Sequence, residues 1–262
     1  MYSISIFRKK CHKKQLVLFP ILATMLIAFS CKKEQYAAQP AVVQVFNALD
    51  DGISLYTYLG DSRPELFRTS LEIRNQFYLL QNNLLYIHHS PQHIEFYTKP
   101  DTLQHDKPAL TLDANLKAGS IFSLFIYGEK AAIEYSLVED LIPKINRNTS
   151  STHVRFANFS ASQAISVNIK GQPVGSLIEN ISYKSLSDFV ALDANKTVEG
   201  YEFEIRNQST GALLYNYVTI AFQPPLNGGE TQWINKSNTL VFTGEEGGAN
   251  PNHLKITRMN HR

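Results

Sequence analysis

Cysteine is almost missing from this 262-residue chain: it occurs at Cys11 and Cys31, and nothing after Cys31 carries a thiol. An internal disulfide beyond Cys31 is therefore excluded, as are a Cys-x-x-Cys redox pair and a zinc-thiolate centre. The apolar run from Leu16 to Ser30 has 15 residues and contains Pro20. A bilayer-spanning helix needs about 18 or more, so a permanent span is disfavoured. No acidic residue precedes Glu34. Beyond Cys31, Lys and Arg are not gathered into a stripe, which argues against a nucleic-acid partner. The chain has no Gly-x-Ser-x-Gly elbow, no His-Glu-x-x-His and no phosphate-binding P-loop, and the expectation is a non-enzyme without a cofactor. Sustained helical periodicity is missing as well, which leaves strands to build the fold.

The first 31 residues have a pattern of their own. Arg8, Lys9, Lys10, Lys13 and Lys14 precede the apolar run, and small Ser30 stands just before Cys31. A basic head, a short apolar core and a small residue at the cut make an export signal. The arrangement resembles a bacterial lipoprotein signal peptide. That resemblance implies cleavage before Cys31, acylation of its sulfur and new amino group, and a lipid bilayer as partner through the acyl anchor. No Asp follows Cys31, so the resemblance points to the outer membrane, on its periplasmic or surface side. Five of the 25 basic residues lie before Cys31, which leaves 20 against 23 acidic and a balance of −3 for the remainder.

The rest of the chain reads as two halves. Val42-Val43-Gln44-Val45-Phe46-Asn47-Ala48 is matched by His153-Val154-Arg155-Phe156-Ala157-Asn158-Phe159. Ile53-Ser54-Leu55-Tyr56 is matched by Ile165-Ser166-Val167-Asn168, and Ile94-Glu95-Phe96 by Tyr201-Glu202-Phe203. Period-two alternation and recurrent turn residues, such as Asp50-Asp51-Gly52 and Gly171-Gln172-Pro173, predict short strands throughout. The fold class expected is all-β: two tandem immunoglobulin-like antiparallel β-sandwich domains after a lipoprotein signal peptide. The boundaries expected are 1–30 for the signal, 31–40 for the lipidated cysteine and tether, 41–140 and 153–245 for the sandwiches, and 246–262 for a loop and a short C-terminal strand or tail.

The Val-x-Val-Phe-Asn opening and the closing element Ala118-Gly119 to Tyr127-Gly128 carry a wider likeness. Residues 41–245 resemble tandem immunoglobulin-like domains of bacterial envelope lipoproteins, a family known only as a domain of unknown function. The resemblance implies fold and location and brings no catalytic residues.

Three features are candidate sites. His89 and His93 flank the turn-like Ser90-Pro91-Gln92, across which two imidazoles could share a metal, against a solvated hairpin. Trp233, in a polar stretch, and Tyr215 and Tyr217, on one strand face, are candidates for a glycan-stacking platform, against core packing of the same rings. Asp50-Asp51 and Glu245-Glu246 lack the spacing of a calcium loop and read as solvated turns. The function expected is a membrane-anchored binding module for a glycan or an envelope protein. The alternatives are a structural or adhesive subunit joined by strand-edge pairing through residues 254–259 and a metal-dependent envelope enzyme.

Overall fold

The computed structural model describes residues 39–60, 70–98, 107–146, 149–161, 163–224, 231–250 and 252–261. The signal-like run, Cys31 and the tether lie outside the described residues. The first half holds β1 (Ala41–Leu49), β2 (Leu55–Leu59), β3 (Leu71–Ile73), the single turn α1 (Leu80–Asn83), β4 (Leu84–Ile87), β5 (Gln92–Tyr97), β6 (Leu110–Ala114), β7 (Ile121–Glu129) and β8 (Ala132–Glu139). The second holds β9 (Ser151–Ser160), β10 (Ile165–Ile169), β11 (Ile178–Ile181), β12 (Ser185–Leu186), β13 (Val190–Asp193), β14 (Glu202–Asn207), β15 (Leu213–Val218), β16 (Ser237–Gly244) and β17 (Lys255–His261).

The halves repeat one topology. Sheets β4-β1-β7-β8 and β3-β2-β5-β6 enclose an aliphatic core that includes Val43, Val45, Leu55, Ile94 and Leu124. Sheets β12-β9-β16-β17, with β13 also on β9, and β11-β10-β14-β15 enclose an aromatic one with Phe156, Phe203, Phe222, Trp233 and Phe242. The protein is an all-β sandwich fold. Among the strands named above, pairing is antiparallel except in one place per half. β1 runs parallel to β7 from Val42↔Ile121 to Leu49↔Gly128, and β9 to β16 from His153↔Ser237 to Ser160↔Gly244. The first strand of each half meets the penultimate one only after the intervening strands have been laid down, and a parallel pair needs such a long crossover.

The pairing also fixes which residues correspond. Asn47 corresponds to Asn158, as the first sequence match has it. The other two matches slip by two residues: Leu55 corresponds to Ile165, since they face Ile73 and Ile181, and Ile94 corresponds to Phe203, since they face Leu59 and Ile169. A two-residue slip keeps every side chain on its own face, so alternation alone cannot reveal it.

The corresponding asparagines are structural clamps. Asn47 Nδ2 donates to the carbonyls of Ile53 (2.8 Å) and Ile73 (3.2 Å), and its Oδ1 accepts from Leu49 N (3.1 Å). Asn158 Nδ2 donates to Gln163 O (2.7 Å) and Ile181 O (3.1 Å), and its Oδ1 accepts from Ser160 N (3.2 Å). Each amide thus satisfies backbone groups that strand ladders leave over. Gly128 and Gly244 also correspond. Both have positive φ, and a Cβ there would meet a backbone oxygen at 2.6 Å (Ala132) or 2.2 Å (His253).

β1, β7, β9 and β16 are buried on both faces. One face serves its own sandwich. The other meets the opposite half in a third cluster, where Phe46, Phe125, Tyr127, Phe159, Val241 and Met259 pack together. The Phe125 and Phe159 rings stack at 4.8 Å. Residues 39–262 accordingly form one compact unit. β17 belongs to it: seven residues pair with β16 from Ser237↔His261 to Thr243↔Lys255.

Candidate functional site

The aromatic candidates turn inward. Trp233 is 1% exposed, stacks on Phe222 (6.1 Å) and donates from Nε1 to the Ile220 carbonyl at 3.0 Å. The Arg258 guanidinium lies 5.2 Å from its ring centroid. Tyr217 faces Trp233 at 6.4 Å and Tyr215 faces Phe242 at 6.2 Å, both half-buried against the core of the second half. The glycan platform expected of Trp233, Tyr215 and Tyr217 is therefore corrected to core packing. The polar residues around Trp233 shape a turn instead of marking exposure: Thr231 Oγ1 accepts from the backbone N–H of Ile234 at 2.8 Å.

His93 is also committed elsewhere. Its Nδ1 lies 2.7 Å from Asp113 Oδ1 and its Nε2 3.5 Å from Glu95 Oε1, so neither nitrogen is turned to His89, which is exposed. The hydrogen bond to Asp113 raises the imidazole pKa above its ordinary range. Among the described residues, no three or more His, Cys, Asp or Glu side chains are placed to hold a metal. His93 is thus held in a surface ion-pair cluster with Glu95 and Asp113 on β5 and β6, and His89 is not part of that cluster. Residues 254–259, expected to offer a pairing edge, lie mostly within β17, which pairs with β16 on one side and ends its sheet on the other.

Two polar regions lie where the halves meet, at opposite ends of the parallel pairs. At the C-terminal end is a cleft of about 450 Å³ lined by Asp50, Asp51, Glu129 and Lys130 of the first half and Ala161, Glu245 and Asn252 of the second. Its geometry follows from the repeat. Asp50 N donates to Gly128 O (3.0 Å) and Ala161 N to Gly244 O (3.2 Å), so Asp50 and Ala161 correspond, as do Glu129 and Glu245. Burial, with Glu129, Glu245 and Asp51 nearby, pushes the Asp50 carboxyl up to about 6, against the opposing pull of Lys184. Such a cleft attracts cationic groups and takes up a proton in mildly acidic solution. In the sequence Asp50-Asp51 and Glu245 stand in opposite halves of the chain, and only the packing of the halves joins them.

At the other end a set of buried polar side chains is joined by hydrogen bonds. Arg155 reaches across from β9: Nη2 pairs with Asp140 Oδ1 and donates to Ser123 Oγ (3.2 Å), while Nε donates to Thr239 Oγ1 (2.7 Å). Ser123 Oγ donates to Asp140 Oδ2 at 2.8 Å. The Arg155 and Asp140 side chains are 5% and 0% exposed. His261 comes from the end of β17. Its Nδ1 lies 3.1 Å from Gln44 Nε2 and its Nε2 2.6 Å from Thr239 Oγ1, while Tyr78 OH donates to Gln44 Oε1 at 2.8 Å. Burial and the Arg155 cation hold His261 down to about 3, so the ring is neutral. With Gln44 donating to Nδ1, its proton sits on Nε2. Burial pushes the Asp140 carboxyl up despite Arg155 and Ser123.

No family model matches the chain, and no curated protein does. Among solved structures the chain is similar to the fimbrial anchor protein Mfa2 from Porphyromonas gingivalis, with a TM-score of 0.26 and 8% identity over 85% of this chain and 97% of that one. It is also similar to a putative adhesin from Bacteroides ovatus, with a TM-score of 0.24 and 13% identity over 84% of this chain and 93% of the other. Likeness at this level says nothing about what this chain binds.

Proposed function

We propose that this chain is a lipid-anchored protein of the bacterial cell envelope that works by binding an envelope protein and not by catalysis. The observation that carries the reading is the basic head, 15-residue apolar run and Ser30-Cys31 junction, followed by a polar tether and a thiol-free fold. No helix among the described residues is long and apolar enough to cross a membrane, and several buried acyl chains, each methylene contributing about 0.8 kcal/mol, suffice to hold a folded domain at a bilayer. A protein partner fits better than a glycan, because Trp233 is buried in the core and Tyr215 and Tyr217 pack half-buried against it. The test is metabolic labelling with an alkyne fatty acid in wild type and Cys31→Ala, with protease shaving of intact cells. Label lost in the variant and retained in wild type supports the anchor. A wild-type chain that carries no acyl mass overturns it.

A second reading, a subunit that assembles by strand-edge pairing, has one observation in its favour. β15 ends its sheet, carries no charged side chain, and together with the residue pair after it exposes Leu213, Val218 and Ile220. Uncharged edges accept strands, and charges such as Lys prevent this. Under this reading Val218→Lys abolishes concentration-dependent assembly measured by light scattering. Assembly unchanged in the variant rules β15 out.

A further inference from the structure

The buried polar groups between the halves form two cross-links related by the internal repeat. Counting along the paired strands, Gln44 corresponds to Arg155, Ser123 to Thr239 and Asp140 to His261. Arg155 of the second half reaches Asp140 of the first, and His261 of the second meets Gln44 of the first. One link is ionic and the other neutral, and Thr239 Oγ1 joins them by contacting both Arg155 Nε and His261 Nε2.

We infer that these two links form an interdomain lock that sets the orientation of the sandwiches, with the C-terminal strand as its bolt. The apolar cluster between the halves supplies adhesion, but burial of apolar area is non-directional and tolerates sliding. Hydrogen bonds with fixed donors and acceptors do not, and a buried group left unpaired by a rotation is penalised. Buried polar pairs of this kind are better suited to specifying a geometry than to adding stability. The lock occupies both ends of the second half: Arg155 near its start and His261 next to the final residue. Asp140, in turn, begins the connection to β9, and Leu141 beside it is 82% exposed. Seating Asp140 therefore tethers the connecting segment as well as the two sheets.

The charged and titratable groups that face His261 are Arg155 from β9 and Asp140, whose Oδ2 is 3.8 Å from Nδ1. Gln44 and Thr239 complete its polar contacts, and Phe189 lies edge-on at 5.6 Å while also facing Arg155 at 4.8 Å. A protonated ring would set a second cation beside Arg155 in a site with one carboxylate. The bolt is thus seated only while the ring is neutral.

The test uses the full chain in detergent, as wild type, His261→Ala and Gln44→Ala, the last breaking the neutral link without touching the C-terminal strand. Hydrogen exchange and limited proteolysis are followed across residues 141–150, alongside calorimetry. We expect both variants to keep the strand spectrum in circular dichroism, to speed cleavage and exchange in 141–150 by about tenfold or more through sub-global opening, and to split one unfolding transition into two. If His261→Ala fails to fold, Gln44→Ala alone decides. The lock is overturned if folded variants show wild-type exchange in 141–150. It is equally overturned if exchange there rises only in step with global unfolding in a single transition, which would make the network a source of stability alone.

Discussion

The two halves share one strand order, with β13 an addition on the second, and become complementary where they face one another. Inside each half the same residue recurs where the same job recurs: Asn47 and Asn158 tie a loop and a neighbouring strand to the first strand, and Gly128 and Gly244 close the seventh and sixteenth. Across the interface the corresponding positions are complementary. Phe46 corresponds to Ala157 and Ala48 to Phe159, a large side chain against a small one in reversed order. Gln44 and Arg155, and Asp140 and His261, divide one ionic and one neutral link between them. Positions that serve their own domain need sameness. Positions that meet their own copy across an approximate two-fold need difference, because two arginines or two phenylalanines cannot occupy one space.

The strongest way to break this comparison is to unpair the ionic link. Asp140→Ala leaves Arg155 buried without its carboxylate and is expected to destabilise by about 3–5 kcal/mol. Gln44→Ala, in the neutral link, is expected to cost about 1–3 kcal/mol. Urea unfolding of both variants measures the gap, and equal losses would mean that the links are energetically alike. Trp233→Ala tests the contrast between an aliphatic and an aromatic core: loss of a buried indole is expected to lower stability by about 3–5 kcal/mol, where an exposed sugar platform would lose almost nothing. The clamps sharpen the comparison from the other side. Asn47→Ala and Asn158→Ala each strand buried backbone carbonyls, and both are expected to lose about 2 kcal/mol by the same unfolding assay. A large inequality would show that the two asparagines are alike in geometry only.

The pH dependence sets His261 against Asp50, which sit at opposite ends of the interface. His261 has a folded pKa near 3, below its unfolded value of about 6.5. The unfolded chain therefore binds the extra proton, and this group's contribution is lost as pH falls from about 6.5 towards 3. Asp50 has a folded value near 6, above the ordinary 3.8. Here the folded chain binds the extra proton, so the contribution is present below about pH 4 and lost as pH rises through 6. Asp50 is half-exposed and solvent screens its share, so the His261 slope is expected to dominate. Melting temperature measured from pH 7 to 4 should fall for wild type, fall less for His261→Gln and fall more for Asp50→Asn.

Much of the architecture was legible in the chain itself. Alternation in Leu55–Leu59 and Ile165–Ile169, turns at glycine, and the doubled opening that ends on asparagine determine an all-β fold with an internal repeat, because side-chain direction along a strand is fixed locally. The same alternation could not distinguish registers two residues apart, nor could it tell an inward aromatic strand from an outward one at Tyr215, Tyr217 and Trp233. Nor could it show that β1 and β9 are buried twice, once in their own core and once against the other half. Those were settled by the meeting of surfaces. The sharing of Asp140 with Arg155, of His261 with Gln44, and of one cleft by Asp50 and Glu245 depends on residues far apart in the chain. Their proximity exists only after two sandwiches have packed, because contact across an interface has no local signature for a sequence to carry.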